Sequence, residues 1–232
     1  MLTLILLFAA STATSSVEVG YTEGLKLAGG SVAEALVAKC DTIDDEYLNY
    51  ITDRKDKRRA ILRCIRGKIG PLEYVNPKFE KMASGGGGKS SAFGSVLKNG
   101  DKRGPKTFPP EGKYITRTPP KFSDALKAWT KAGSAGNDKA CVELAASAFC
   151  EAVPVKSGNV AEKKIVDFLK FASSNKDANA AFLLAVCYYY GIGCEVKRND
   201  AFAQLKKWKE YSGTTKATRG GWVHRRFEEM KK

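Results

Sequence analysis

The chain has 232 residues, of which 43% are hydrophobic and 10% aromatic, a composition that excludes global disorder and permits a folded core. Its charge is unusual, because 39 Lys+Arg against 25 Asp+Glu give a formal net charge of +14. A surface of this sign favours anionic partners such as nucleic acid, anionic lipid or acidic protein. The charge alone fits equally well a basic protein that self-repulsion keeps soluble.

Residues 1–16 consist of a mainly apolar run followed by small residues. Met1–Ala10 contains no charged side chain and is followed by Ser-Thr-Ala-Thr-Ser-Ser. The run is shorter than the roughly 20 apolar residues of a membrane-spanning helix, and it is typical of a targeting signal. We therefore predict a targeting segment, which implies the secretory pathway or an organelle such as a plastid or mitochondrion. The alternative, a short buried helix that docks on a partner, stays open because no Lys or Arg precedes Lys26.

Residues 17–70 are predicted to form an N-terminal helical segment. Ser31 is placed to cap a first helix, with Glu34 at the capping-box position. A second helix fits Asp44–Arg66, where apolar residues recur at intervals of three and four. This helix contains the densest charge run of the chain, and its basic members are candidates for partner binding: Arg54, Lys55, Lys57, Arg58 and Arg59. The alternative is a solvated helix face with ion pairs one turn apart.

Residues 71–120 contain most of the prolines and many glycines and lysines, and their hydrophobic periodicity disappears. This composition predicts a linker or an extended arm. Basic arms often become ordered only against a partner, so Lys102, Arg103 and Lys106 are further candidates for partner binding; the alternative is a flexible spacer. Ala83–Ser90 matches a loose phosphate-loop pattern, but a strand before it and a helix after it are not predicted, which argues against a nucleotide site.

Residues 121–213 repeat at an offset of 40. Asp124–Ala132 aligns with Lys164–Ala172, Lys139–Ala145 aligns with Asn179–Ala185, and Asp200–Trp208 follows as a third half-unit at an offset of 36. Periods in this range indicate stacked pairs of helices. The residues expected to pack these helices or to form their turns are Ala140, Leu144, Ala180, Leu184, Tyr189, Gly191, Gly193 and Ala201.

The segment Ala180–Trp208, which includes Tyr-Tyr-Tyr-Gly-Ile-Gly over residues 188–193, resembles a Sel1-like repeat, a relative of the tetratricopeptide repeat. Ser123–Ala145 is similar to the second helix of one such unit leading into the next. The resemblance implies an adaptor or scaffold without catalytic residues. The expected fold is therefore mainly α: a short Sel1-like α/α solenoid with an N-terminal helical segment and a long irregular basic arm.

The six cysteines permit disulfides in an oxidising compartment, and a bridge between Cys187 and Cys194 is geometrically conceivable. Buried thiols are the alternative. No metal site is predicted, because Cys-x-x-Cys spacing is absent and His224 is the single histidine. No cofactor is predicted either, although a cysteine that carries a covalent chromophore would look the same in sequence.

The basic tail, residues 214–232, predicts a short amphipathic helix that docks on a neighbour, with Arg225 and Arg226 as candidate contacts, or else a solvated end. The sequence contains no nucleophile–base set, so we predict that the protein is not an enzyme. The favoured function is a scaffold, linker or accessory subunit that binds acidic proteins in a larger hetero-oligomeric assembly, such as an organellar or light-harvesting one. The alternatives are a nucleic-acid-binding protein such as an organellar ribosomal subunit, and a secreted regulatory repeat protein.

Overall fold

A computed structural model of the chain describes residues 17–43, 45, 61–62, 64–65, 67–77, 114–152, 159–213 and 220–231. These residues are mainly helical, as the sequence predicts, with one small sheet. The helices are α1 (17–28), α2 (Val32–Cys40), α3 (Phe122–Ser134), α4 (Asp138–Phe149), α5 (Asn159–Ser174), α6 (Ala178–Tyr190), α7 (Arg198–Ser212) and α8 (Trp222–Glu229). The strands are β1 (Lys68–Ile69), β2 (Leu72–Val75) and β3 (Ile115–Arg117).

The first predicted helix is confirmed together with its cap. Ser31 is the N-cap of α2, and its hydroxyl accepts a hydrogen bond from the Glu34 amide at 3.1 Å. The second predicted helix, Asp44–Arg66, lies mostly outside the described residues, of which 45, 61, 62 and 64 are helical. Ile61 and Ile65 are buried in the core.

Helix α1 packs directly on α3 because two of its residues are glycines one turn apart. A Cβ at Gly24 would lie 2.2 Å from the indole nitrogen of Trp129, and one at Gly20 would lie 3.4 Å from the Ala132 side chain. Trp129 is completely buried, and its indole N–H donates to the Tyr21 carbonyl at 3.3 Å. The large aromatic side chain of α3 therefore takes the space that the glycines of α1 leave open.

The turns that join α3 to α4 and α5 to α6 are equivalent at the predicted offset of 40. Asn137 caps α4 and Asp177 caps α6, each by accepting from the amide three residues ahead, that of Ala140 or Ala180, at 2.7 Å. In both turns the capping residue's own amide donates to the carbonyl five residues earlier, at 3.0 and 3.1 Å. The two turns therefore share the same side-chain cap and the same backbone hydrogen bond.

The C-terminal ends of α4 and α6 also match. Gly191 ends α6 in the left-handed conformation with φ 71°, and Glu151, 40 residues earlier, adopts φ 57° although it is not glycine. In each case the next amide donates to the carbonyl five residues before it, at 2.9 Å. Backbone hydrogen bonding therefore imposes the same turn on a residue with a side chain. Gly193 has φ 67°.

The core is built around α4 and α6. Helix α6 is buried continuously from Ala180 to Cys187 and packs against α5, α7 and α2, while α4 packs against α3, α5 and α2. Four of the predicted packing residues are at most 1% exposed: Ala140, Ala180, Leu184 and Ala201. Tyr189 is 9% exposed, and Leu144 is partly buried. Helix α2 therefore covers part of both central helices.

The small sheet lies where the sequence analysis expected a helix end and an irregular arm. β1 and β3 both pair antiparallel with β2, with Val75 opposite Ile115. The sheet docks on the end of α4 because the Tyr74 hydroxyl donates to the Cys150 carbonyl at 2.6 Å. Strands of two to four residues are too short to show a period of two in sequence, and β3 is distant from β2 along the chain. Most of the predicted arm, residues 78–113, lies outside the described residues.

Candidate interaction surfaces

The excess positive charge is divided unequally over the chain. The described residues contain 20 Lys+Arg and 18 Asp+Glu, whereas the remaining residues contain the other 19 Lys+Arg and only 7 Asp+Glu. The described part of the protein is therefore almost neutral. Eight of the ten predicted partner-binding residues belong to the remaining segments and lie outside the description: Arg54, Lys55, Lys57, Arg58, Arg59, Lys102, Arg103 and Lys106.

Arg226, one of the other two, is directed into the protein. Its side chain is 8% exposed, forms an ion pair with Asp45, and places its guanidinium 4.4 Å from the centroid of the Tyr189 ring and 5.7 Å from that of Trp222. An arginine stacked between aromatic rings and paired with a carboxylate stabilises the contact between two elements. The structure thus uses this residue to attach α8 to the rest of the chain.

Arg225 and its neighbours complete this attachment, which we call the C-terminal anchor: Asp45, Tyr190, Trp222, Arg225 and Arg226. The Arg225 Nε donates to Asp45 Oδ2 at 3.1 Å. The Tyr190 hydroxyl donates to Asp45 Oδ1 at 2.8 Å and accepts from the Trp222 indole N–H at 2.7 Å. The predicted tail helix is confirmed, but its apolar side docks on its own chain, since Trp222 is completely buried.

The buried side of the anchor favours neutral tyrosines. Burial, and then the Asp45 carboxylate, raise the pKa of Tyr190 far above its ordinary value. Burial also raises the pKa of Tyr189 to about 12, with the Arg226 guanidinium acting in the opposite direction. Both hydroxyls therefore stay protonated near neutral pH, that of Tyr190 donating to Asp45 and that of Tyr189 donating to Glu229 at 2.9 Å.

A second polar cluster joins α2 to α4. Glu143 of α4 is 2% exposed, accepts from the amides of Val32 and Ala33 at 2.9 and 3.2 Å, and accepts from the Ser31 hydroxyl. Burial raises the pKa of this carboxyl, and the three hydrogen bonds act against that increase. The first amides of a helix have no acceptor within the helix, and the Glu143 carboxylate accepts from two of them at the N-terminus of α2. Glu143 therefore caps α2 from a different helix.

Within the described part of the chain, no group of three His, Cys, Asp or Glu side chains is placed to hold a metal ion. A depression of about 380 Å³ at the start of α7 is shallow and is lined by residues 196–200. Cys194 Sγ donates weakly to the Cys187 carbonyl at 3.6 Å, and these two cysteines do not form the bridge that was conceivable from the sequence.

The outer side of α5 carries two exposed phenylalanines. The Phe168 residue is 37% exposed to solvent, and Phe171 is 43% exposed. No other large aromatic side chain in the described part of the chain is exposed to this degree. None of the described helices is both long and apolar enough to cross a membrane.

Comparison with known proteins assigns the chain to no family, because no protein-family model and no curated protein matches it.

Proposed function

We propose that the protein is a non-catalytic scaffold or linker subunit, a short Sel1-like α/α solenoid with a basic arm, which binds acidic protein partners in a larger assembly. The observation that carries this proposal is the clustering of positive charge in two stretches of the sequence: residues 54–59 have five basic and one acidic side chain, and residues 78–113 have eight basic and three acidic. Like charges concentrated in a few segments attract and orient an oppositely charged surface more strongly than the same charges dispersed over a body.

The anchoring of the basic segments supports an interaction role. The 78–113 segment has 8 Lys+Arg and 3 Asp+Glu, and the residues on either side of it include the strand pair of Val75 and Ile115. The sheet in turn is attached to α4 through the Tyr74 hydroxyl. The internal pairing of Arg225 and Arg226 with Asp45 leaves residues 54–59 and 102–106 as the principal candidates for partner contacts.

The test compares two full-length variants of equal net charge. The first replaces Arg54, Lys55, Lys57, Arg58 and Arg59 with Gln. The control replaces five exposed lysines of the described part with Gln: Lys121, Lys131, Lys176, Lys197 and Lys206. Poly-L-glutamate and a duplex DNA of random sequence are the probes, each titrated at several salt concentrations.

We expect the first variant to bind poly-L-glutamate at least about tenfold more weakly and with a smaller dependence on salt, because contacts between opposite charges are screened by ions. The control is expected to change by less than about threefold, since its lysines are dispersed. Equal losses in the two variants would contradict the proposal. Salt-dependent binding to DNA alone would favour the nucleic-acid alternative.

Native material supplies a second test. A scaffold subunit is expected to elute with acidic partners at a mass well above its own 25.2 kDa. Intact mass spectrometry of the same sample measures whether residues 1–16 have been removed, as a targeting segment would be, and whether a cysteine carries an adduct. A monodisperse monomer that turns over a small substrate would exclude the scaffold proposal.

A further inference from the structure

The exposed pair on α5 lies outside the fully buried side of this helix. The core side of this helix consists of Ile165, Val166 and Leu169, which are at most 2% exposed. Phe171 follows Leu169 by two residues, or about 200° around a helix, which places it on the opposite side. Large exposed aromatic side chains on a free surface reduce solubility, and where they cluster they mark interaction sites.

The equivalent positions of the neighbouring helices α3 and α7 have no aromatic side chains. At the offset of 40, Phe168 corresponds to Ala128 in α3 and Phe171 to Lys131. At the offset of 36, the same positions in α7 hold Gln204 and Lys207. Gln204 contributes to packing between helices by hydrogen bonding to Ser173 of α5 at 2.8 Å. Helices α3 and α7 therefore form and pack without aromatic residues at these positions.

The charges around the pair indicate the partner. Lys164 lies one turn before Phe168, Lys170 lies beside Phe171, and both are exposed. Asp167 is the one exposed acidic residue between the two lysines along the helix. The two lysines outnumber this carboxylate, so a small excess of basic charge lies beside the apolar pair on α5. Two anchors three residues apart on a helix lie about 5–6 Å from each other, a spacing that suits the ridge of another helix.

We infer that α5 docks an amphipathic helix of an acidic partner protein. Apolar side chains of that helix cover Phe168 and Phe171, and its carboxylates face Lys164 and Lys170. The inference rests on the proposed function and assigns to it a second, apolar contact that is separate from the basic segments. A lipid surface is disfavoured, because membrane-binding helices present a broad apolar face to the lipid, whereas the exposed large apolar side chains described for α5 are Phe168 and Phe171.

The test uses a fluorescent synthetic peptide of about 18 residues, long enough for five helical turns, with Leu at i, i+3, i+4 and i+7 and Glu elsewhere. A peptide of the same composition, scrambled so that no apolar face forms, is its control. The full-length variants are Phe168→Ser/Phe171→Ser and Lys164→Glu/Lys170→Glu. The matched control is Val19→Ser/Val196→Ser, which removes two other exposed apolar side chains, 63% and 49% exposed.

Fluorescence anisotropy is expected to show binding of the amphipathic peptide and weaker binding of the scrambled one. The serine variant and the charge-reversal variant are each expected to lose at least about tenfold in affinity, because apolar anchors and complementary charges both contribute to such contacts. The valine control is expected to change by less than about twofold. Unchanged circular dichroism and unfolding midpoints show that the exposed substitutions leave the fold intact.

The outcomes separate this inference from the proposed function. Undiminished peptide binding by the serine variant, or binding of poly-L-glutamate without binding of the amphipathic peptide, overturns the α5 site alone. Binding to neither probe overturns both proposals. If the serine variant instead abolishes a concentration-dependent dimer, or abolishes binding to phosphatidylglycerol vesicles, the patch belongs to a second copy or to a membrane and the inference is wrong.

Discussion

The attachment of α8 depends on a carboxylate about 180 residues earlier in the chain. Replacing Asp45 with Ala removes the acceptor of the Tyr190 hydroxyl and the ion-pair partner of Arg225 and Arg226. Removing one partner of a buried ion pair costs about 3–5 kcal/mol. The Asp45 side chain is 25% exposed and Glu229 remains 3.4 Å from the Arg226 Nε, so we expect the lower end, about 3 kcal/mol.

Thermal unfolding measures this effect directly. For a protein of this size, 1 kcal/mol shifts Tm by about 2–4 °C, so Asp45→Ala is expected to lower Tm by about 6–12 °C. Hydrogen exchange should also become faster in α8, because this helix loses its anchor. The control is Arg198→Ala, which breaks an ion pair with Glu229 at 2.8 Å but removes a side chain that is 58% exposed. Exposed pairs contribute at most about 1 kcal/mol, so its effect is expected to be small.

A double-mutant cycle isolates the interaction of Asp45 with Arg226. Arg226→Met keeps an apolar side chain under Tyr189 and Trp222 while removing the charge. If the anchor is formed as described, the double variant is more stable than the sum of the two single losses predicts, by about 0.5–3 kcal/mol. A Tm loss in Asp45→Ala no larger than that in Arg198→Ala, or a coupling energy near zero, would refute the reasoning.

Three further predictions concern the helix contacts and the tyrosines. Glu143→Leu leaves buried amides of α2 without an acceptor and is expected to cost about 1–3 kcal/mol for each; no fall in the urea midpoint would contradict the cap. Gly24→Ala meets the Trp129 ring and is expected to cost about 1–3 kcal/mol in urea unfolding, more than Gly20→Ala; equal losses would contradict the close helix contact. The pKa of Tyr189 is raised to about 12 in the folded protein, so its stabilising effect is complete below its ordinary pKa of about 10 and is lost as the pH rises from there to about 12. Wild type is therefore expected to lose more stability than Tyr189→Phe between pH 9 and 11; equal slopes would contradict this.

The features that could be predicted from sequence are those set by residues close together in the chain. Ser31 and Glu34 identify the start of α2 because a cap and its amide lie three residues apart. The offset of 40 placed Ala140 opposite Ala180 in the alignment, and both are buried immediately after equivalent caps. The family resemblance and the scaffold role stay predictions, because a repeat of helix pairs specifies packing and not a partner.

The candidate contacts were less predictable, because the sequence does not show whether a basic side chain faces solvent or pairs with a buried carboxylate. The sequence predicts partner contacts for Arg225 and Arg226, but Asp45 accepts hydrogen bonds from both of them. Nothing near Asp45 in the sequence indicates this role. The exposed aromatic pair on α5 is not among the predicted contacts, because the alignment of Lys164–Ala172 with Asp124–Ala132 does not show which side chains of the helix stay exposed.

The sequence by itself determined the helical character, the repeat period and the caps, because these depend on hydrogen bonds and apolar spacing within a few residues. Only the tertiary structure decided which surfaces remain available. It placed α2 over α4 and α6, joined β3 to β2, and turned the C-terminal arginines inward. These contacts link residues far apart in the chain, where the gain from burial and ion pairing must exceed the entropy of closing long loops, and no local pattern records that balance.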